Sequence, residues 1–110
     1  MKKLTTLLVI LSLVLAVGGF AAANPVTTVA DVLKSGVDDQ RVTLEGKVVQ
    51  QIRHEHFIFR DSTGDIEIEV DDELLRLYGD IVNQSVRIHG KVDKEHNRMT
   101  VDVKTLEVLK

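Results

Sequence analysis

FIFRDSTGDIEIEVDDELLRLYGD, residues 57–80, decides the fold because its apolar period changes partway through. Phe57 and Phe59 fall on one face of an extended segment, with His56, Ile58 and Arg60 opposite. Asp61-Ser62-Thr63-Gly64 is a turn, and Ile66, Ile68 and Val70 then alternate with Glu67 and Glu69. Period two on both sides of a turn predicts a hairpin with an apolar inner face and an acidic outer one. From Asp71 the alternation stops. Asp71 or Asp72 can cap a short helix, Glu73 complements its amino-terminal dipole, and Leu74, Leu75, Leu77 and Tyr78 supply apolar surface before Gly79-Asp80 ends it.

The same periods continue outward. Upstream, Val42, Leu44, Gly46 and Val48 share one face, and Thr43, Glu45, Lys47 and Val49 the other, in a half-buried strand that continues toward Gln50 and Ile52. Gly46 on the inner face suits tight curvature or a bulge. Before it, Thr28 caps a short helix with Asp31 three residues later, Val29, Val32 and Leu33 form its stripe, and Ser35-Gly36 ends it. Downstream, Val86, Ile88, Gly90 and Val92 alternate with Arg87, His89 and Lys91. A polar loop, Asp93 to Arg98, leads to Met99, Val101 and Val103, with Leu106 and Val108 extending the last strand after a phase shift.

The order is a short helix, three strands, a short helix and two strands. This is the order of a five-stranded OB-fold barrel, mainly β, whose closure removes exposed sheet edges. An open five-stranded α+β sheet is the runner-up. The helix between strands three and four favours the barrel.

Residues 1–23 read differently. Lys2 and Lys3 precede an apolar run from Leu7 to Val17 broken only by Ser12, and Ala21-Ala22-Ala23 closes the segment before Asn24. This is the pattern of a secretory signal peptide cleaved after Ala23. An uncleaved anchor is the alternative, since Leu4 to Ala23 gives 20 uncharged residues. The reading divides the chain into a signal, 1–23, and one domain, 24–110, with the periplasm as expected address; membrane contact is expected only through a retained signal.

Of the chain's 14 basic side chains, Lys2 and Lys3 belong to the signal, so the 17 acidic groups face 12 basic ones in the domain, a net charge of −5. That balance disfavours nonspecific nucleic-acid or anionic-lipid binding. Phe57 and Phe59 follow the core period, so no outward aromatic ladder supports a nucleic-acid site either. The chain has no cysteine, which removes disulfides, thiolate nucleophiles and soft metal sites. Ser35, Ser62 and Ser85, the serines after residue 23, lie in no nucleophile elbow, so an enzyme is not expected.

Several segments together resemble a known family: Val26-Thr27-Thr28-Val29, Val42 through Val48, Phe57 through Ile66, and Val86 through Lys94. The chain is similar over Val26 to Val108 to the bacterial OB-fold family of YgiW- and YdeI-type proteins. The resemblance implies a small periplasmic OB-fold protein associated with tolerance of envelope or oxidative stress, in some members with resistance to cationic antimicrobial peptides. It implies no enzyme activity, metal centre or cofactor, and a small ligand, cationic in one view. The matching Gly46, Asp61, Gly64, Gly90 and Asp93 read as architectural.

The candidate binding surface is acidic. Glu67 and Glu69 share the outer face of the third strand, Glu45 lies on that of the first, and Asp71 and Asp72 follow at the rim. Carboxylates within a Debye length attract a cationic small molecule or peptide. A contact with an envelope protein, with the acidic face serving solubility, is the alternative. His54 and His56 are the remaining metal candidates, on one side of an extended strand with Glu55 on the other. Two imidazoles are an incomplete zinc site.

Overall fold

One long strand organises the barrel in the computed structural model, which describes residues 25–110. The expected signal, residues 1–23, lies outside the described residues. In chain order the elements are β1 (Val26–Thr27), α1 (Val29–Ser35), β2 (Arg41–Arg53), β3 (His56–Asp61), β4 (Gly64–Glu69), α2 (Asp72–Tyr78), β5 (Ser85–Glu95) and β6 (Arg98–Val108). β2 pairs antiparallel with β5 through Arg41–Lys47 and with β3 through Lys47–Arg53. The sheet order β1-β2-β3-β4-β6-β5 therefore closes through β2–β5, and five strands form the expected OB barrel. Closure leaves no place for the open-sheet alternative. β1, too short to show a period in the sequence, adds parallel to β2 at Thr43 and Leu44.

The inner face follows the alternation. Val42, Leu44, Val48, Phe57, Phe59, Ile66, Ile68, Val86, Ile88, Val101 and Val103 are buried. Gly46 sits where β2 changes partners, and a Cβ there would lie 2.4 Å from the Arg60 carbonyl oxygen and 2.8 Å from Phe59 Cζ. Close backbone approach, rather than a bulge at Gly46 itself, is the reason for glycine; the register shifts of β2 lie at Val48/Gln50 and Gln51/Arg53. The phase shift in β6 is real. His89 pairs with Thr105 but Gly90 with Val103, so Lys104 is the extra residue and burial resumes at Leu106.

α1 is held by three side chains at its first turn. Thr28 Oγ1 accepts from the Asp31 amide at 3.1 Å, Asp61 Oδ2 from Val29 at 2.9 Å, and Thr63 Oγ1 from Ala30 at 2.9 Å. The β3–β4 turn thus caps a helix more than 30 residues upstream. A seven-residue helix is marginal alone, and this tertiary cap supplies what its length lacks.

Four local expectations change. Leu33 is half exposed, so only Val29 and Val32 of the α1 stripe enter the core. On α2 only Leu74 and Leu75 pack against the core, while Leu77 is 75% and Tyr78 40% exposed; a two-turn helix lying on a barrel buries one side only. Ile81, unassigned by period, is fully buried. The expected loop from Asp93 to Arg98 is paired strand nearly throughout, with His96-Asn97 as its two-residue turn. Polarity there marks a hairpin extending beyond the core, not a loss of strand.

Candidate functional site

Strand register brings outward residues of the barrel into rows. One row runs Asp93, Thr100, Glu67, Ile58, Gln50 across β5, β6, β4, β3 and β2, and its neighbour runs Lys91, Asp102, Glu69, His56, Arg53. The two-residue β2–β3 turn at one side and the β5–β6 turn at the other bound these rows. The result is a groove of about 360 Å³ lined by Arg53, His56, Glu67, Glu69, Asp93, Glu95, His96, Arg98 and Thr100. It is at the small end of ligand-site volumes. Its bounding turns, β2–β3 and β5–β6, flank the face that OB barrels use for ligands.

Glu67 is the hub. Its side chain is 13% exposed, its Oε2 accepts from Arg53 Nη2 at 3.0 Å and from His56 Nδ1 at 2.7 Å, and its Oε1 accepts from Arg98 Nη2. A carboxylate only accepts, so His56 carries its proton on Nδ1 in this pair. Burial pulls the Glu67 carboxyl upward, but hydrogen bonds from Arg98 and His56 and the charges of Arg98 and Arg53 outweigh it and hold the carboxyl below its ordinary range. Glu67 therefore orients the two arginines rather than presenting a free charge. Glu69, Asp93 and Glu95 have no ion-pair partner among the described residues. Four carboxylates against two guanidiniums leave the groove net negative.

The β5 side of the groove is anchored from outside. The Lys94 amide donates to Asp38 Oδ1 at 2.8 Å, and the Asp39 amide donates to the Val92 carbonyl at 2.7 Å. The loop after α1 thus fixes the strand that carries Asp93 and Glu95.

Of the residues expected to form one acidic surface, only Glu67 and Glu69 line the groove. Glu45 is paired with Arg87 at 2.7 Å, which also holds Glu107, in the part of β2 that faces β5. Asp71 is the α2 cap, accepting from the Leu74 amide at 3.1 Å. Asp72 meets His54, with Nε2 and Oδ1 3.0 Å apart. Hence the five carboxylates occupy three places, because β2 curls and α2 begins at the rim. His54 and His56 also separate. Glu55 takes a left-handed conformation with φ 66° and the chain turns at His54-Glu55, so His56 enters the groove while His54 faces α2. Asp93, Glu95, His96 and Arg98 were not singled out as site residues from sequence; the alternation of charge across a tight turn was the available signal.

The fold and this face define a small OB barrel with a charged groove between two hairpin turns. The chain belongs to the bacterial OB-fold (BOF) protein family, whose model matches residues 14–108. It is 33% identical over 88 residues to the calcium-regulated OB-fold protein CarO of Pseudomonas aeruginosa, covering 80% of this chain and 76% of that protein. It is 34% identical to protein YgiW of Escherichia coli K12 over 83 residues, 76% of this chain and 64% of that one. The solved structure of hypothetical protein ygiW from E. coli superposes with a TM-score of 0.72 at 34% identity, covering 84% of this chain and 99% of that chain. Membership supports a noncatalytic, stress-associated role and a periplasmic address. OB domains of tRNA synthetases and telomere proteins, at 12–23% identity, share the fold alone.

Proposed function

We propose that the protein is a noncatalytic stress-tolerance module of the periplasm that binds a cationic small molecule or peptide in this groove. The observation that carries the reading is the set Glu69, Asp93 and Glu95, without ion-pair partners among the described residues, beside an internally neutralised Glu67. The acidic balance of the domain and the burial of Phe57 and Phe59 speak against nucleic acid as the ligand.

Anisotropy of a labelled lysine-rich peptide, and competition by spermine, test the reading. Saturable binding weakened by salt is expected for the wild type. The double change Glu69→Gln and Glu95→Gln removes two carboxylates whose ion pairs with a cationic probe are worth up to about 1 kcal/mol each, so affinity should fall about tenfold. Equal affinity in a folded double variant rejects the groove. The alternative, an envelope interaction module without a small ligand, draws on the exposed Leu77 and Tyr78 of α2. It gains if no cationic probe saturates while crosslinking in native envelopes captures one reproducible partner.

The proposed address includes cleavage after Ala23. The intact mass of exported protein should then correspond to a chain starting at Asn24; a mass retaining residues 1–23 would replace cleavage by anchoring.

A further inference from the structure

At the β2–β3 turn, outside the hydrogen-bonded hub of the groove, three side chains from two elements converge. His54 and Glu55 form the turn, and Asp72 is the first residue of α2. One donor atom from each lies within 4.8 Å of the other two. His54 Nε2 is 3.0 Å from Asp72 Oδ1 and 3.3 Å from Oδ2. Two ligands about 2.0–2.1 Å from a tetrahedral ion stand roughly 3.3 Å apart, so this pair needs little movement to share one. The third donor is held nearby: Glu55 Oε2 accepts from the Asp72 amide at 2.8 Å, and the Glu55 carbonyl accepts from Val70 at 2.8 Å. The turn and the start of α2 are thereby locked together, and the ligands come from a framework rather than from two loose chains.

We infer that His54, Glu55 and Asp72 form a binding site for a divalent borderline metal ion, Zn²⁺ by preference, with water completing the shell. The donor set separates Zn²⁺ from Ca²⁺. One imidazole nitrogen with two carboxylates suits Zn²⁺, whereas Ca²⁺ takes six to eight oxygens and gains little from an imidazole. The site differs from a His54–His56 pair, since the left-handed Glu55 sends His56 to Glu67 and brings its own carboxylate to the His54 side. It stands at the groove rim, between Arg53 and His56, and is independent of whether the groove takes a cationic ligand.

Calorimetric titration of the purified protein with Zn²⁺ alone at neutral pH tests the inference. One saturable site per chain is expected, weakened at least about tenfold by His54→Ala and by Asp72→Asn. Glu55→Gln keeps an oxygen for the Asp72 amide while removing the carboxylate charge, so it should weaken Zn²⁺ without loosening the turn, as the unchanged thermal midpoint would report. Ca²⁺ at equal concentration should leave the Zn²⁺ isotherm in place. No saturable binding to the wild type, wild-type affinity in His54→Ala, or displacement by Ca²⁺ would each overturn the assignment.

Discussion

Gly46→Ala is expected to lower stability by about 3 kcal/mol, the upper end of the cost of overpacking a closed core. The added methyl would stand 2.4 Å from the Arg60 carbonyl oxygen and 3.1 Å from its carbon, both backbone atoms that no rotamer change can move. Phe59 Cζ, at 2.8 Å, belongs to a fully buried ring with nowhere to retreat. β2 cannot slide away from β3, because the residues on either side of Gly46 are held by β5. Urea denaturation should therefore show a lower midpoint with an unchanged slope, and for a domain of this size each kcal/mol corresponds to about 4–8 °C in Tm. A change within about 0.5 kcal/mol, the range of ordinary surface substitutions, would mean that the strands separate at this point without cost.

Asp61→Ala is expected to cost a similar amount, about 2–3 kcal/mol, through lost polar contacts rather than packing. Asp61 Oδ1 accepts from the Thr63 amide at 2.8 Å, the Thr63 hydroxyl at 2.6 Å and the Gly64 amide at 3.2 Å, while Oδ2 accepts from Val29 at 2.9 Å. A hydrogen bond to a charged group contributes about 1.5–3 kcal/mol, and its loss here also leaves the amide of buried Val29 without its acceptor. Asp61→Asn, with one oxygen, can serve the turn or the helix but not both, so an intermediate loss is expected. Charge gives a separate signature. Partial burial raises the Asp61 carboxyl, but the hydrogen bonds from the Thr63 hydroxyl and from the Val29, Thr63 and Gly64 amides prevail and lower it below the ordinary range. Its stabilisation is thus fully present above the unfolded value of about 3.9 and is lost as pH falls through the lower folded value. The gap between wild type and Asp61→Asn should be full at neutral pH and shrink below about pH 3.9. A gap independent of pH would exclude the carboxylate charge as its source.

Both predictions concern residues that the sequence marks for local reasons. Gly46 interrupts an apolar alternation, and Asp61 opens a turn. Their partners are less legible. The Arg60 carbonyl reaches Gly46 across the paired β2–β3 hairpin, and the Val29 amide reaches Asp61 from a helix 32 residues upstream. The carboxylate reading shows the same division. That Glu67 and Glu69 face outward follows from period two; that Glu67 is already satisfied by Arg53, His56 and Arg98 does not. Charge alone made Glu45 and Asp72 their equals, whereas Glu45 belongs to Arg87 and Asp72 to His54.

Sequence by itself left an open sheet beside the closed barrel and Asp72 beside Asp71 as the second cap, but it determined the OB-fold order of elements, the hairpin at residues 57–70, the helix cap at Thr28, the inward phenylalanines and the resemblance to bacterial OB-fold proteins. These rest on alternation, turn chemistry and capping, which act between residues a few positions apart. Tertiary structure alone decided which charges meet. The parallel pairing of β4 with β6 brings Glu67 to Arg98, 31 residues later, and a single left-handed residue at Glu55 sends His54 and His56 to different partners. Register and turn handedness are set by closure of the whole sheet, and a change of one residue in either exchanges the side chains that face the groove.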